Sequence, residues 1–364
     1  MEKFRYEMLG QSPDSPGWWH VIDVFNHVDI NKVLLHTSYF ITPYILEPKY
    51  KYVIKSLGYE ETPRLEELVQ WCDLNPEVHF IVLGDMWLYD FPTPHNLEFV
   101  EYRFAYCEMA QFLELFRDAV TPVKNKKYKY KFSSLSHRVR QFRAVMTAKL
   151  LTMAKHESLI SWHNENNSTS GIHEYLIESV KNMAYFKDLD WSFLHTTITP
   201  DEWNGTKNNL PHFILDPRYP AYNEAFINIT NETFWFGWHA IDDKKYITPG
   251  PYLSEKTWKC VGSGTMFINT GQPFTYKFLK EVYGIPLNFD IGLDFDNIPG
   301  DIDRLKALCD LIDDIQSRNL EDLIESNIDA CDEMQQWILQ PGLVESFEQF
   351  NQQQNQLILN KISR

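Results

Sequence analysis

The stretch LSEKTWKCVGSGTMFINTGQPFTYKFLKEVYG, residues 253–284, decides the fold of this chain. Ser254 suits the N-cap of a helix over SEKTWKCV, and TMFINT at 265–270 is a short apolar strand. A second helix follows the strand, with Pro273 placed at its start and Gly284 at its end. A helix, a buried strand and a helix in succession are typical of a doubly wound α/β unit with a parallel sheet.

The same alternation continues upstream. AFINIT at 225–230 is a further apolar strand, and the strand YKYKFSSL precedes the helix FRAVMTAKLLTMAKH. In the first third of the chain, VHFIVLGD at 78–85 is the clearest buried strand, because its apolar residues form a continuous run. WWHVIDVF and LEFVEYRF predict further strands there, and TPRLEELVQWC and MAQFLELFRDAV predict helices. The chain therefore contains two groups of alternating strands and helices.

The basic, proline-marked segment TPVKNKKYKYKF, residues 121–132, separates the two groups and is interpreted as a linker running into a strand. We predict an α/β protein with two Rossmann-like domains facing a cleft and with C-terminal helices. The predicted domains cover 1–122 and 123–335, and a closing helix covers 336–364. Apolar residues at helical spacing in DIDRLKALCDLIDDIQ and in SFEQFNQQQNQLILNKISR indicate this helical C-terminal region.

The composition excludes disorder as the main state of the chain. Hydrophobic residues make up 44% and charged residues 23% of 364 residues, which is typical of a folded globular protein. The net charge of −16 argues against a protein that coats nucleic acid by bulk charge. Much of the acid surplus lies between Asp290 and Glu333, whereas the segment from Lys124 to Arg143 is strongly basic. A local contact with DNA therefore stays open.

The sequence contains neither a signal-peptide pattern nor an apolar run long enough to span a membrane. Its 5 cysteines show no Cys-x-x-Cys spacing, which favours free thiols over disulfides or a zinc site. We expect a cytoplasmic protein with no membrane span.

The triplet Ser254-Glu255-Lys256 is the most informative polar pattern in the chain. Free N–H groups at a helix N-terminus attract anions, whereas a lysine in the first turn opposes the helix dipole. The position of Lys256 is explained if its ammonium grips a diphosphate at the helix end, and Glu255 can accept hydrogen bonds from ribose hydroxyls. An ordinary capped surface helix is the alternative interpretation.

Two further patterns carry polar groups to the ends of strands. Arg138, Arg140 and Arg143 fall where a strand gives way to a helix, a position suited to phosphate oxygens. Glu232 follows the apolar strand AFINIT, and ligands of open α/β sheets bind at the carboxyl ends of the strands. A solvated basic face and a satisfied loop turn are the respective alternatives.

No metal signature accompanies these patterns. The sequence lacks His-Glu-x-x-His, and it has no Asp-x-Asp at the end of an apolar strand. Asp294-Phe295-Asp296 has the spacing of a metal-binding acid pair, but a solvated acidic loop is the favoured interpretation. We therefore predict no metal and no bound cofactor.

Taken in order, these segments resemble the donor-binding half of two-domain (GT-B type) glycosyltransferases, most closely glycosyltransferase-like proteins of tailed phages and more distantly α-1,3-fucosyltransferases. FSSLSHRVRQFR is similar to the phage pattern LNRRPRPHR, HESLISWH to its Leu-Ile-Ser-Trp stretch, and AFINITNETFWF to the strand F-x-N-I-V-T-E-T. YLSEKTWKCVGSGTMFINTGQPFTYKFLKEVYGIPL is similar to E-K-T-[WF]-K-x-I…G-x-P-F-I…G-x-P-G-x-L. The resemblance covers roughly residues 128–320, and the first 122 residues match no family we can name.

The resemblance implies a nucleotide-sugar donor bound to the second domain, as a co-substrate without an essential metal. By carry-over onto matching positions, Lys256 and Arg143 hold the diphosphate, Glu255 holds the ribose, and the other residues of these motifs belong to the donor site. Two departures from the pattern matter for the donor site. Phe274 follows Gly-Gln-Pro where the pattern has glycine, and Gly264-Thr265-Met266 replaces Gly-x-Pro.

A catalytic base has to come from the first domain. Asp85 is the best-placed candidate, because it ends the strongest predicted strand and precedes Met86-Trp87. A carboxylate beside a tryptophan can have a raised pKa and remove a hydroxyl proton near neutral pH. His20 and Asp23 are weaker candidates, and a structural role is the alternative for each.

The predicted function is transfer of a sugar from a nucleotide diphosphate to an acceptor hydroxyl. One acceptor consistent with a phage-like protein is a hydroxymethylated base of its own DNA; a surface glycan or a small molecule is the alternative. In that setting the protein would act in the host cytoplasm. A binding or virion-associated protein that kept the fold and lost the chemistry is the competing hypothesis.

Overall fold

The computed structural model describes residues 32–36, 43–56, 65–84, 94–103, 106–136, 140–162, 170–198, 219–232, 251 and 253–362. Its strands are β1 (Val33–His36), β2 (Tyr52–Ser56), β3 (His79–Gly84), β4 (Leu97–Glu101), β5 (Tyr130–Ser136), β6 (Ser158–Trp162), β7 (Ala225–Thr230) and β8 (Met266–Asn269). Its helices are α1 (Leu65–Leu74), α2 (Tyr106–Phe116), α3 (Gln141–Met153), α4 (Ser170–Lys181), α5 (Pro220–Asn223), α6 (Glu255–Ser263), α7 (Thr275–Glu281), α8 (Asp301–Ser317), α9 (Leu320–Leu339) and α10 (Leu343–Ile362).

The strands form two parallel four-stranded sheets. The first sheet has the order β1-β2-β3-β4, and the second has the order β6-β5-β7-β8. In the second sheet, Phe132 of β5 pairs with Ile227 of β7, which in turn pairs with Met266 of β8. These sheets and the helices at the carboxyl-terminal end confirm the predicted α/β class.

The chain divides into two compact units. The described residues up to Ala110 and from Gly342 onward belong to the first unit, and those of 111–237 and 253–341 belong to the second. The division differs from the predicted boundaries at 122/123 and 335/336. The first difference arises because residues of 111–122 contact the second unit: Phe112 of α2 packs against Gly262 of α6, and the carbonyl oxygen of Thr121 accepts a hydrogen bond from Gln335 of α9 at 3.1 Å.

Helices α1 and α10 cover opposite faces of the first sheet. Trp71 of α1 packs with Val53 of β2, whereas Ile358 of α10 packs with its neighbour Ile54 and with Ile81 of β3. Consecutive residues of a strand point to opposite faces, so the sheet is a layer between two helices. The predicted closing helix is thus part of the core of the first unit.

A polar contact also fixes α10 to the first sheet. Asn351 accepts a hydrogen bond from the backbone N–H of Arg103 at 2.8 Å and donates one to its carbonyl oxygen at 3.0 Å. Asn351 is buried, so this paired contact satisfies both the amide side chain and the backbone just after β4.

The second unit is built around strands that are buried on both faces. Every residue of β7 is buried, as expected for a central parallel strand covered by helices. Helix α6 begins at the cap Ser254 and ends at Gly264, which adopts the left-handed conformation with φ of 66°. A Cβ on Gly262 would lie 2.0 Å from the ring of Phe112, so this glycine allows α2 to pack against α6.

Most elements predicted from sequence for the described residues are present, with two kinds of difference. The predictions missed β1, β2 and β6, and WWHVIDVF lies outside the described residues. Helix α7 begins at Thr275, later than the predicted start at Pro273, because Phe274 takes the left-handed conformation with φ of 65°.

In the part of the chain that the structure describes, no helix combines the length and apolar character needed to cross a membrane.

Candidate functional site

The order of the second sheet marks one position along its carboxyl edge. From β5 the chain first adds β6 on one side and later builds β7 and β8 on the other. The winding therefore reverses between β5 and β7, and the crevice outside such a reversal is where open α/β sheets bind ligands. Residues 231–232 follow β7 directly, and α3 is the first helix after β5.

Glu232 occupies the centre of a polar cluster at this reversal. Its carboxylate accepts hydrogen bonds from the hydroxyls of Ser254 and Thr257, both at 2.5 Å, and from the N–H of Ser254 at 3.2 Å. Glu232 has 0% exposure. The carboxylate therefore fastens the end of β7 to the first turn of α6. The sequence analysis selected Glu232 as a donor-site residue, and in the structure its carboxylate accepts these hydrogen bonds from groups of the protein.

Lys256 lies in the first turn of α6, beside this carboxylate. Its Nζ donates to the hydroxyl of Ser254 at 3.1 Å, and its backbone N–H donates to the same oxygen at 3.3 Å. The hydroxyl of Ser254 in turn donates to Glu232. A buried negative charge one hydroxyl away explains how a lysine is tolerated at the positive end of a helix. Lys256 as a whole is half-buried.

Arg143 reaches the same cluster from α3. One Nη donates to the carbonyl oxygens of Glu232 at 2.7 Å and of Asn231 at 3.2 Å. Arg143 is only 5% exposed, so its guanidinium fixes the backbone after β7 and places a positive charge there. Arg140 is the extended, half-buried residue that precedes α3.

Asn231 ties the two central strands together. Its Nδ2 donates to the hydroxyls of Ser134 at 2.9 Å and Ser136 at 3.1 Å, and its Oδ1 accepts from Thr270 at 3.1 Å. Asn231 precedes Glu232 in the polar segment after AFINIT, but the sequence analysis did not include it among the donor-site residues.

Asn269 extends the network to the loop after β8. Its Nδ2 donates to the hydroxyl of Thr257 at 2.9 Å, and its Oδ1 accepts from the N–H of Gly271 at 2.7 Å. A Cβ on Gly271 would lie 2.6 Å from that oxygen and 3.2 Å from the Cβ of Glu232. The loop therefore packs directly on the Glu232 cluster, which only a glycine permits. The sequence analysis did not include Asn269 or Gly271 among the donor-site residues.

The structure brings together four of the predicted site residues, namely Arg143, Glu232, Ser254 and Lys256. Arg140 lies next to them in the chain. Glu255 is the first residue of α6, and its side chain lies outside the description. Arg138 and the candidate base Asp85 also lie outside the described residues.

The Asp294-Phe295-Asp296 segment differs from the expected solvated loop. Asp294 is exposed, but Asp296 is 3% exposed and accepts the N–H groups of Thr275 and Tyr276, each at 2.9 Å. Burial raises the pKa of Asp296 to about 7, although these N–H groups and Arg304 favour its charged form. Asp296 is thus a helix cap.

Among the described residues, no group of three or more His, Cys, Asp or Glu side chains could hold a metal ion.

The basic segment before β5 is engaged in ion pairs and carbonyl contacts within the second unit. Lys124 pairs with Asp329 and Asp332, Lys129 with Glu224, and the buried Lys131 with Glu157 and two carbonyl oxygens. Lys126 donates to the carbonyl oxygens of Tyr222 and Ser263. Because this segment precedes β5, it lies at the amino edge of the sheet, opposite the Glu232 cluster.

Comparison with family models, with curated proteins and with solved structures returned no match. The resemblance to glycosyltransferases therefore depends on the motif residues of this chain alone.

Proposed function

We propose that this chain is a GT-B type glycosyltransferase that binds a nucleotide-sugar donor at the carboxyl edge of its second sheet. The observation that carries the proposal is the meeting of Arg143, Glu232, Ser254 and Lys256 at the reversal of the sheet. These residues come from three separate segments, and the motif resemblance had selected all three. Crevices at such reversals are preferred ligand sites in this fold class.

In this proposal the charged residues have different tasks. Lys256 contacts the diphosphate and stabilises the negative charge that develops as the bond from the anomeric carbon to the diphosphate oxygen breaks. Arg143 adds positive charge and holds the backbone of Glu232. Glu232 keeps Ser254 and the start of α6 in place. The acceptor oxygen bonds to the anomeric carbon, and its proton passes to a base, for which Asp85 is the candidate.

Ligand-dependent stability tests the donor site. UDP-, GDP- and ADP-sugars are titrated while thermal unfolding is followed, since a ligand at 100 times its Kd stabilises the folded state by about 2.7 kcal/mol. We expect one donor to raise the Tm of the wild type but not of Lys256→Ala. Lys277→Ala is the matched control, because Lys277 is a half-exposed lysine on the neighbouring helix α7.

Two results would contradict the donor site. Either none of the nucleotide sugars stabilises the wild type, or Lys256→Ala responds to the donor as strongly as Lys277→Ala does.

The acceptor is a separate part of the proposal. A hydroxymethylated base of DNA remains a candidate, but Lys124, Lys126, Lys129 and Lys131 give it no support because they are engaged at the opposite edge of the sheet. A surface glycan or a small molecule with a free hydroxyl is the alternative acceptor.

A binding protein without transferase activity is the second candidate function. The hydrogen bonds of Glu232 and Arg143 to other groups of the protein favour this candidate, because they show that both residues stabilise the fold. Release of free sugar, or its transfer to any acceptor, by the purified protein would eliminate this candidate. Donor binding without turnover would support it.

A further inference from the structure

Phe274 has an unusual backbone conformation in the loop after β8. Its φ of 65° and ψ of 17° are left-handed, and it is the one non-glycine residue with positive φ among those described. This conformation costs a non-glycine residue about 1–3 kcal/mol, so surrounding contacts must hold it.

Asp296 supplies those contacts. Its carbonyl oxygen accepts the N–H of Phe274 at 2.7 Å, and its two carboxylate oxygens accept the N–H groups of Thr275 and Tyr276. Three consecutive backbone donors are thus satisfied by one buried residue, which makes the first turn of α7 continuous with the left-handed residue before it. The buried Arg304 is the nearby positive charge, and it also bonds to Asp301 and to the carbonyl oxygen of Ile298.

The held loop is part of the Glu232 cluster. Between β8 and Phe274 the chain passes Gly271, whose N–H binds Asn269 and whose Cα faces Glu232. A change of conformation at Phe274 therefore moves the backbone that packs on Glu232 and, through Asn269, on Thr257 at the start of α6.

We propose that Asp296 is a positioning residue of this site. Its three hydrogen bonds keep the loop 271–274 in the conformation that completes the site, and ligand affinity depends on that conformation. The identity of the ligand, a nucleotide sugar, rests on the proposed function above, but the positioning role rests on the contacts of Asp296.

The test measures nucleotide-sugar affinity by calorimetry at pH 8 for the wild type and for Asp296→Asn. The amide of asparagine accepts one of the two side-chain bonds and directs N–H donors at the other backbone N–H. We expect a loss of affinity of about tenfold, which corresponds to 1.4 kcal/mol. Asp294→Asn is the matched control, since Asp294 lies in the same turn and is exposed, and we expect it to bind like the wild type.

Phe274 provides the readout that a purely structural role would not change. Glycine adopts the left-handed conformation without steric cost, so Phe274→Gly should restore most of the affinity in the Asp296→Asn background. Phe274→Val raises the cost of that conformation without altering Asp296 and should weaken binding severalfold. It also keeps the test valid if Asp296→Asn does not fold.

The outcomes separate the two proposals. If the wild type binds a nucleotide sugar and both Asp296→Asn and Phe274→Val bind it equally well, the positioning role is wrong and the donor site stands. If the affinity of Asp296→Asn falls and Phe274→Gly does not restore it, the positioning role is also overturned. If the wild type binds no nucleotide sugar, the proposed function fails and the inference fails with it.

Discussion

The two edges of the second sheet use charge in opposite ways. At the amino edge, lysines that are prominent in the sequence form ion pairs, and the side chains of Lys124 and Lys129 are more than half exposed. At the carboxyl edge, one buried glutamate joins the end of β7 to the start of α6. The conspicuous lysines thus join the amino edge to other parts of the second unit, whereas an inconspicuous Asn-Glu pair organises the candidate site.

Replacement of Glu232 should have the largest effect. Glu232→Ala leaves the buried donors of Ser254 and Thr257 without their acceptor, and we expect a loss of about 3–5 kcal/mol in the free energy of unfolding. Urea denaturation measures it. Glu224→Ala, which breaks the Lys129 pair at the amino edge, should cost below about 1 kcal/mol. Equal losses in the two variants would remove the contrast between the edges.

The pH dependence of stability should reveal the buried carboxylate of Asp296. Because burial raises its pKa to about 7, the folded state binds this proton more tightly than the unfolded state does. The stability that the protonated Asp296 contributes is therefore fully present below about pH 4 and is lost as the pH rises through about 7, by on the order of 4 kcal/mol. This contribution is measured by comparing the unfolding free energies of the wild type and Asp296→Asn between about pH 4 and pH 7.

Asp294→Asn, which changes the exposed acid of the same turn, is the control variant in these measurements. A constant difference between the wild type and Asp296→Asn across the range would show that the folded state does not raise this pKa.

Gly271→Ala should have an intermediate effect. The new Cβ would clash with Asn269 and press on Glu232, which we expect to cost about 1–3 kcal/mol. Gly292→Ala is the control, because nothing lies within 4 Å of a Cβ at that position. If both variants unfold at the same urea concentration, the loop does not pack on the cluster as described.

The smallest effect is expected at the amino edge. Lys124→Ala removes exposed ion pairs with Asp329 and Asp332 and should change the unfolding free energy by less than about 1 kcal/mol. It should also leave the salt dependence of any DNA binding unchanged, because a phosphate-contacting lysine would alter that slope. A fluorescence titration with duplex DNA at two salt concentrations checks this; a shallower slope in the variant would bring this edge back as a DNA contact.

The elements that depend on local signals were predictable from sequence. Ser254 caps α6 by bonding to its own first turn, so the start of this helix is encoded within a few residues. In contrast, β1 is only four residues long, and β2 contains the buried Lys55, so neither has a clear apolar pattern. Such strands are defined by their neighbours in the sheet rather than by their own sequence.

The sequence predicted which residues belong to the candidate site better than it predicted the hydrogen bonds between them. The motif segments contained Arg143, Glu232 and Lys256, but no local rule joins Glu232 to Ser254, which follows 22 residues later. Asp296 looked like a solvated acid, because its partners Thr275 and Tyr276 lie 21 and 20 residues away. Hydrogen bonds between residues about 20 positions apart depend on the packed fold and cannot be derived from residue type. Residue type alone therefore cannot distinguish a side chain that contacts a ligand from one that bonds to other parts of the protein.

The pairing of Asn351 with Arg103 has a consequence for the order of folding during synthesis. The two residues are 248 positions apart, and Asn351 belongs to the helix that covers one face of the first sheet. A ribosome releases the chain from its amino end, so the described parts of the second unit, which end before Gly342, emerge before α10 does. The strands of the first sheet are therefore synthesised first, but the helix that covers one face of the sheet is synthesised last. Until α10 packs, that apolar face is exposed and is a binding site for a chaperone.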